Sequence, residues 1–142
     1  MFRFIRTDHI PTLLVRLSVG LIFISEGVQK YVLPDSIGAG RFAKIGFSHP
    51  YFWASFTGAF EIICGAFILI GFITRLAAAP LLIIMVVAFI TTKVPILMDK
   101  GFFAMAHEYR TDFAMTSLLI YLIIYGGGNH SVDRKLTGSG RE

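Results

Sequence analysis

From Pro50 to Gly71 the chain carries no charge except Glu61. A helix crosses the roughly 30 Å hydrocarbon core of a bilayer with about 20 residues, so this stretch has the length of one crossing. Lipid offers no hydrogen-bond partner to a bare backbone, and such a stretch must therefore be helical. Comparable segments run over about 11–32, 76–94 and 109–125, beside 51–71 itself. In 142 residues these four crossings leave no room for a separate soluble domain. The expected fold is all-α, an integral membrane four-helix bundle formed by one domain over 1–136. Residues 137–142, reading "TGSGRE", are set apart as a flexible tail of the kind a purification linker leaves.

Composition supports a bilayer as the main partner. The chain is 55% hydrophobic and 15% charged, with a mean hydropathy of +0.70, whereas soluble domains carry about 25% charged residues. The net charge of +4 comes from Arg and Lys at segment ends rather than from a run, which suits lipid headgroups and argues against nucleic acid. Cys64 is the one cysteine, so neither an internal disulfide nor CxxC chemistry is available.

The segment ends follow from local signals. Pro11 suits a helix start and "LPDSIG" stops the first span after Val32; Arg16 interrupts its apolar run and no small-residue cleavage site comes after it, so an uncleaved span is expected. Tyr51 and Trp53 suit a headgroup boundary. Thr74 is placed to cap the third span, Pro80 to kink it, and Lys93 with Pro95 to close it. Phe113 to Tyr125 alone gives only about 20 Å, so the fourth span must start near Glu108 or Tyr109 and stop at Gly126 to Gly128. Loop 1, "PDSIGAGRFAKIGFSHP", and loop 3, "PILMDKGFFAMAHE", are apolar enough to lie against the bundle mouth. Arg3, Arg6, Arg75, Arg134, Lys135 and Arg141 fall on the side of the termini, against Arg41, Lys44 and Lys100 on the other. The positive-inside rule then places both termini in the cytoplasm of a multi-pass protein.

The charges inside the spans share faces with small residues. At about 100° per residue, Arg16, Gly20, Phe23, Gly27 and Lys30 lie within an arc of about 80°, with Glu26 at its border. On the second span Ala54, Gly58, Glu61 and Gly65 form a matching stripe, the pattern that lets helix backbones approach closely. Glu61 is therefore expected to point inward, about 15 Å below Tyr51. A charge at the bilayer centre costs about 2.5–3.5 kcal/mol on insertion scales, so this carboxylate needs a cation, a proton or water. Lys30, Lys93 and Arg110 are the available cations. Glu26, Lys30, Lys93, Glu108, Arg110 and Asp112 all belong to the half of the bundle under loops 1 and 3, with Glu61 as its floor. Lys93 is expected to snorkel, and Glu108 with Asp112 to accept from Arg110 or Lys93. Arg16, in the other half, is placed to reach headgroups or Asp133 and so to hold the tail.

The segments "RLSVGLIFISEGVQK", "GAFEIICGAFILIGFITR" and "GGGNHSVDRKL" resemble the DoxX family of small bacterial inner-membrane proteins, in order and over nearly the whole chain. Arg16, Gly20, Phe23, Gly27 and Lys30 match its first-span pattern; Glu61, Gly65, Gly71 and Arg75 match the second; Gly128, Ser131 and Asp133 fit the terminal motif. The resemblance implies a four-helix membrane bundle in the bacterial inner membrane. It also implies a link to redox physiology, through members associated with thiosulfate-quinone oxidoreduction and with thiol or oxidative-stress complexes. It fixes no reaction.

Two uses fit Glu61, a proton-handling or ligand-binding acid and polar glue between helices, and the residues leave both open. His9, His49, His107 and His130 lie at span ends or in loops, so none is placed as a deep haem ligand and no metal site is assigned; His107 beside Glu108 is the nearest approach to one. Cys64 fits a small buried side chain, and "GGG" is a helix stop without the strand-then-helix context of a phosphate loop. The 14 Phe residues suit an apolar cavity wall for a quinone ring or lipid tail, and equally a lipid-facing surface. The expected role is thus an accessory or quinone- or sulfur-compound-binding component of a membrane redox system, without a complete catalytic set. Glu61, Lys30, Glu26, Lys93, Glu108, Arg110 and Asp112 would handle ligand or protons, and Arg16, Gly20, Gly27, Gly58, Gly65 and Asp133 would be structural. Quinone is the one cofactor considered; a redox partner protein and a homo-oligomer are the protein partners considered. The alternatives are a small-solute or proton pathway and a structural assembly factor without chemistry.

Overall fold

The computed structural model describes residues 10–127, and all regular structure among them is helical. Helix α1 spans Ile10–Val32, a short α2 Ala39–Ile45, and α3 Pro50–Ile70. Then α4, Thr74–Ala88, passes through a π-helical turn, Phe89–Lys93, into α5, Val94–Lys100, and α6 covers Phe102–Tyr125.

The stops follow from backbone chemistry. Beyond α1, Pro34 and the tightly wound segment up to Gly38 reverse the chain. Gly71 ends α3 at φ 77°, and its N–H and that of Phe72 donate to the carbonyls of Ile68 and Phe67 at 3.1 and 2.9 Å. That left-handed residue is nearly free of strain only for glycine. The cap position of α4 is Ile73, and Thr74, expected there, is buried in the first turn instead. Pro95 does not close the third segment. It sits at the start of α5, where the preceding π-turn has already changed the hydrogen-bond register, so its missing N–H interrupts less than in a regular helix. The Thr91 and Thr92 hydroxyls bond back to Val87 and Ala88 carbonyls through this turn. The expected loop 3 is therefore helix on both sides of a single break at Gly101, φ 90°. The last helix accordingly begins at Phe102, six residues before Glu108. Loop 1 contributes α2, whose Phe42 ring packs at a tilt against Phe47, which in turn meets Trp53 at the head of α3.

Three stretches, Thr12–Val32, Pro50–Ile70 and Thr74–Lys100, are long and apolar enough to cross a membrane. Helix α6 has the length, at 24 residues, but its first half carries His107, Glu108, Arg110 and Asp112 and lowers its apolar character. Helix α1 packs most extensively on α3, α4 lies against both α3 and α6, and α6 closes back on α1. The common core joins Val19 and Phe23 of α1, Ile68 of α3, Leu81 of α4, and Leu119 and Leu122 of α6. Leu14, Leu21, Ile63, Leu76, Ile83 and Ile124 are exposed on the outside, as expected of helices that meet acyl chains rather than water.

Candidate functional site

The α1–α3 interface is built on two glycine pairs. A Cβ placed on Gly20 would lie 2.9 Å from the carbonyl oxygen of Gly65, and one on Gly27 would lie 2.7 Å from that of Gly58. Each pair brings two backbones together without side chains between them. Both pairs belong to one antiparallel register, two turns apart on each helix.

This register places the charges. Helical side chains lean toward their own N-terminus, so on antiparallel helices Lys30 leans into the membrane and Glu61 leans toward loop 1. They meet near the Gly27–Gly58 crossing, where Lys30 Nζ donates to Glu61 Oε2 at 2.7 Å. Glu61 is only 4% exposed, and the crossing lies about 12 Å in from the head of α3. Among the described residues this is the one hydrogen bond made by either side chain. An ammonium has three N–H groups and a carboxylate two acceptor oxygens. Two N–H groups and Oε1 thus keep capacity for water or a polar ligand. Glu26, half-buried, and Arg41 of α2 are the other charges near enough to act on Glu61. Above the pair, the Tyr31 hydroxyl donates to the Ser55 carbonyl at 2.6 Å and its ring lies over Gly58.

The remaining expected residues do not join Glu61 in one ring. Lys93 does not snorkel; at the end of the π-turn it is buried, and it pairs with Asp112 of α6 at 3.3 Å. A π-turn adds a residue to the helix and rotates the residues after it, which is how this side chain reaches α6. Arg110 is exposed and folds back on its own helix, donating to the His107 carbonyl at 2.8 Å and meeting its Nε2 at 2.7 Å. Glu108 is exposed and enters no ion pair among the described residues. The charges thus fall into a pair on α1 and α3 and a second pair on the π-turn and α6.

Arg16, 2% exposed, does not reach headgroups. It donates to the carbonyls of Ile68 and Leu69 at 3.0 and 2.8 Å and of Gly127 at 3.3 Å. These carbonyls lie at or just past helix C-termini, where the last turns lack the full set of intrahelical N–H partners and the dipole favours a cation; that of Ile68 also accepts from the Gly71 N–H. Asp133, its other expected partner, lies outside the described residues. Arg75 plays a similar part at the end of α6, donating to the Ile124 carbonyl at 3.1 Å. Sequence reasoning missed Arg75 and Tyr31 as contacts, although Tyr31 comes one helical turn after Gly27. The Phe-walled space is a groove of about 290 Å³ between α3 and α4, lined by Phe56, Phe60, Ile63, Cys64, Phe67 and Pro80, and Glu61 is not part of its wall.

A profile of the DoxX family matches residues 12–94, from the first turns of α1 to the end of the π-turn. The chain belongs to the DoxX family. It is 44% identical over 142 residues to an uncharacterized membrane protein of Mycobacterium tuberculosis (strain ATCC 25618 / H37Rv), covering 95% of this chain and 87% of that relative. No solved structure matches it. The DoxX match contains both partners of the Lys30–Glu61 pair, both glycine pairs, Arg16 and Lys93, whereas Asp112 and the rest of α6 lie beyond it.

Proposed function

We propose that this DoxX protein is an accessory component of a membrane redox system, and that it holds a quinone or small sulfur compound at Lys30–Glu61 without carrying out the reaction alone. The observation that carries this reading is the unused hydrogen-bonding capacity of a buried ion pair inside two membrane-spanning helices. Polar groups at that depth are costly unless a partner meets them, and intramembrane ion pairs mark ligand or proton sites by default. The redox associations of the family support the direction. Glu26 and Arg41 extend the polar surface toward loop 1, and Lys93 with Asp112 forms a second charged locus near the same end. Glu108 and Arg110 are assigned to the outer rim.

The same proposal includes α6 as a fourth span, completing a four-helix bundle over residues 1–136 with 137–142 as a tail. It places the chain in the bacterial inner membrane with both termini in the cytoplasm. A second reading, structural glue within an assembly factor, draws on the glycine pairs that flank the ion pair. The test is Glu61→Gln, assayed for quinone-dependent oxidation in membranes and for thermal stability in detergent. The ligand reading expects a large loss of oxidation with little change in melting temperature. Unchanged oxidation with altered stability favours glue.

A further inference from the structure

The turn between α5 and α6 exposes Met98, Phe102 and Phe103, at 79%, 62% and 86%. These are among the most exposed large apolar side chains of the described residues, and they sit at the tip where the third crossing stretch ends and α6 begins. We propose that this tip is an interfacial anchor, seated in the headgroup layer of the bilayer at the same end as α2.

Length is the first argument. The helical run Thr74–Lys100 has 27 residues and its neighbour α3 has 21, and the two start from one tight turn. At 1.5 Å per residue the longer run overshoots by about 9 Å. The interfacial layer beyond the hydrocarbon core is about 5–8 Å thick on each side. An overshoot of that size carries the tip out of the hydrocarbon core and into the headgroup layer, on the side of the ester carbonyls and away from the chain ends.

Continuity is the second. Leu76, Ile83 and Ile90 recur every seven residues on one exposed face up to the π-turn, and Leu97 and Met98 are exposed beyond it. The π-turn rotates the helix between the two groups, and apolar side chains stay exposed on both sides of it, so the tip adds to the apolar surface that the third span shows to lipid. On α6, Phe102 lies within about 20° of exposed Phe113 around the helix axis, which continues the second wall in the same way. Between the two walls stands exposed Lys100, whose ammonium is placed to meet lipid phosphates while its stem lies along the apolar surface. Tyr51, Phe52 and Trp53, exposed at the head of α3, form an aromatic belt on the inner side of the tip, at the boundary of the core. This inference is independent of the role assigned to Lys30 and Glu61.

The experiment makes the tip report its own depth. Trp53 is the one tryptophan, so Trp53→Phe combined with Phe103→Trp leaves a single probe in the full chain, reconstituted in phosphatidylcholine vesicles. Phe102→Trp in the same background is a second probe should the first fail to fold. The expected result is blue-shifted emission, quenched more by lipids brominated near the carbonyls than by lipids brominated near the chain ends, and shielded from aqueous iodide. Water-like emission open to iodide and insensitive to bromolipids would overturn the proposal and free this face for a protein partner. Quenching greatest from the chain ends would overturn it as well, by placing the tip inside the core.

Discussion

Removing Lys30 while keeping Glu61 is the sharpest perturbation of this structure. The two side chains are 10% and 5% exposed and 2.7 Å apart. Breaking a buried pair by deleting one partner costs about 3–5 kcal/mol, because the other charge is left uncompensated. Lys30→Met is expected to cost about 3 kcal/mol, because Glu61 lies near the middle of α3 with no second cation in contact, and the value stays at the low end because its carboxylate can still take water. Glu61→Leu should cost less, about 1–2 kcal/mol, because Lys30 is two residues from the end of α1 and its long stem can turn toward the interface. Lys30→Met with Glu61→Leu removes both charges and should return to within about 1 kcal/mol of the parent. The coupling between the sites is therefore about 3 kcal/mol or more, well above the error of a double-mutant cycle. Unfolding by dodecyl sulfate in mixed micelles reads all four proteins. A double variant destabilised by the sum of the single losses would falsify the pairing argument.

The glycine register makes a graded prediction. Gly27→Ala drives a methyl against the Gly58 carbonyl and Ile62 Cγ1, both at 2.7 Å, and should lose about 1–2 kcal/mol after the helix propensity of Ala is credited. Gly58→Ala meets the Tyr31 ring at 3.0 Å, which can swing aside, so its melting temperature should fall less. Arg16→Gln leaves the Leu69 carbonyl unmatched, at about 1–3 kcal/mol, while the Ile68 carbonyl keeps the Gly71 N–H. Arg16→Lys should recover little of that in the same micelle assay, because a single ammonium cannot reproduce the guanidinium fork. Lys93→Met should cost about 1 kcal/mol, less than Lys30→Met, since Asp112 is 29% exposed and regains water. Equal losses for the two lysines would contradict that difference in burial.

The inward turn of Glu61 was legible because small residues recur beside it at helical spacing, and the structure seats Gly58 and Gly65 against Gly27 and Gly20. The choice of Lys30 over Lys93 and Arg110 was not. It depends on the antiparallel register of α1 and α3 and on the π-turn at Phe89–Lys93, and a change of hydrogen-bond register inside a helix carries no residue-type signal that a spacing argument can use. For the same reason Pro95 reads as a terminus, although the turn before it accommodates the ring. Arg16 has two targets readable from residue types, headgroups and Asp133. Its carbonyl partners become visible only once the end of α3 is known to lie beside it, since main-chain acceptors carry no residue-type signal. The length of α6 is hidden by the charges at its start, where Phe102 to Glu108 reads as loop.

The two arginine caps bear on how the polypeptide is built into its membrane. The Ile68 and Leu69 carbonyls that meet Arg16 both belong to α3, so α1 and α3 between them hold every partner of this fastening. The Gly127 carbonyl and the Arg75–Ile124 bond belong to the end of α6, so this second fastening requires the chain through Gly127. A nascent chain halted after α3 keeps the first fastening, and one halted before Tyr125 lacks the second.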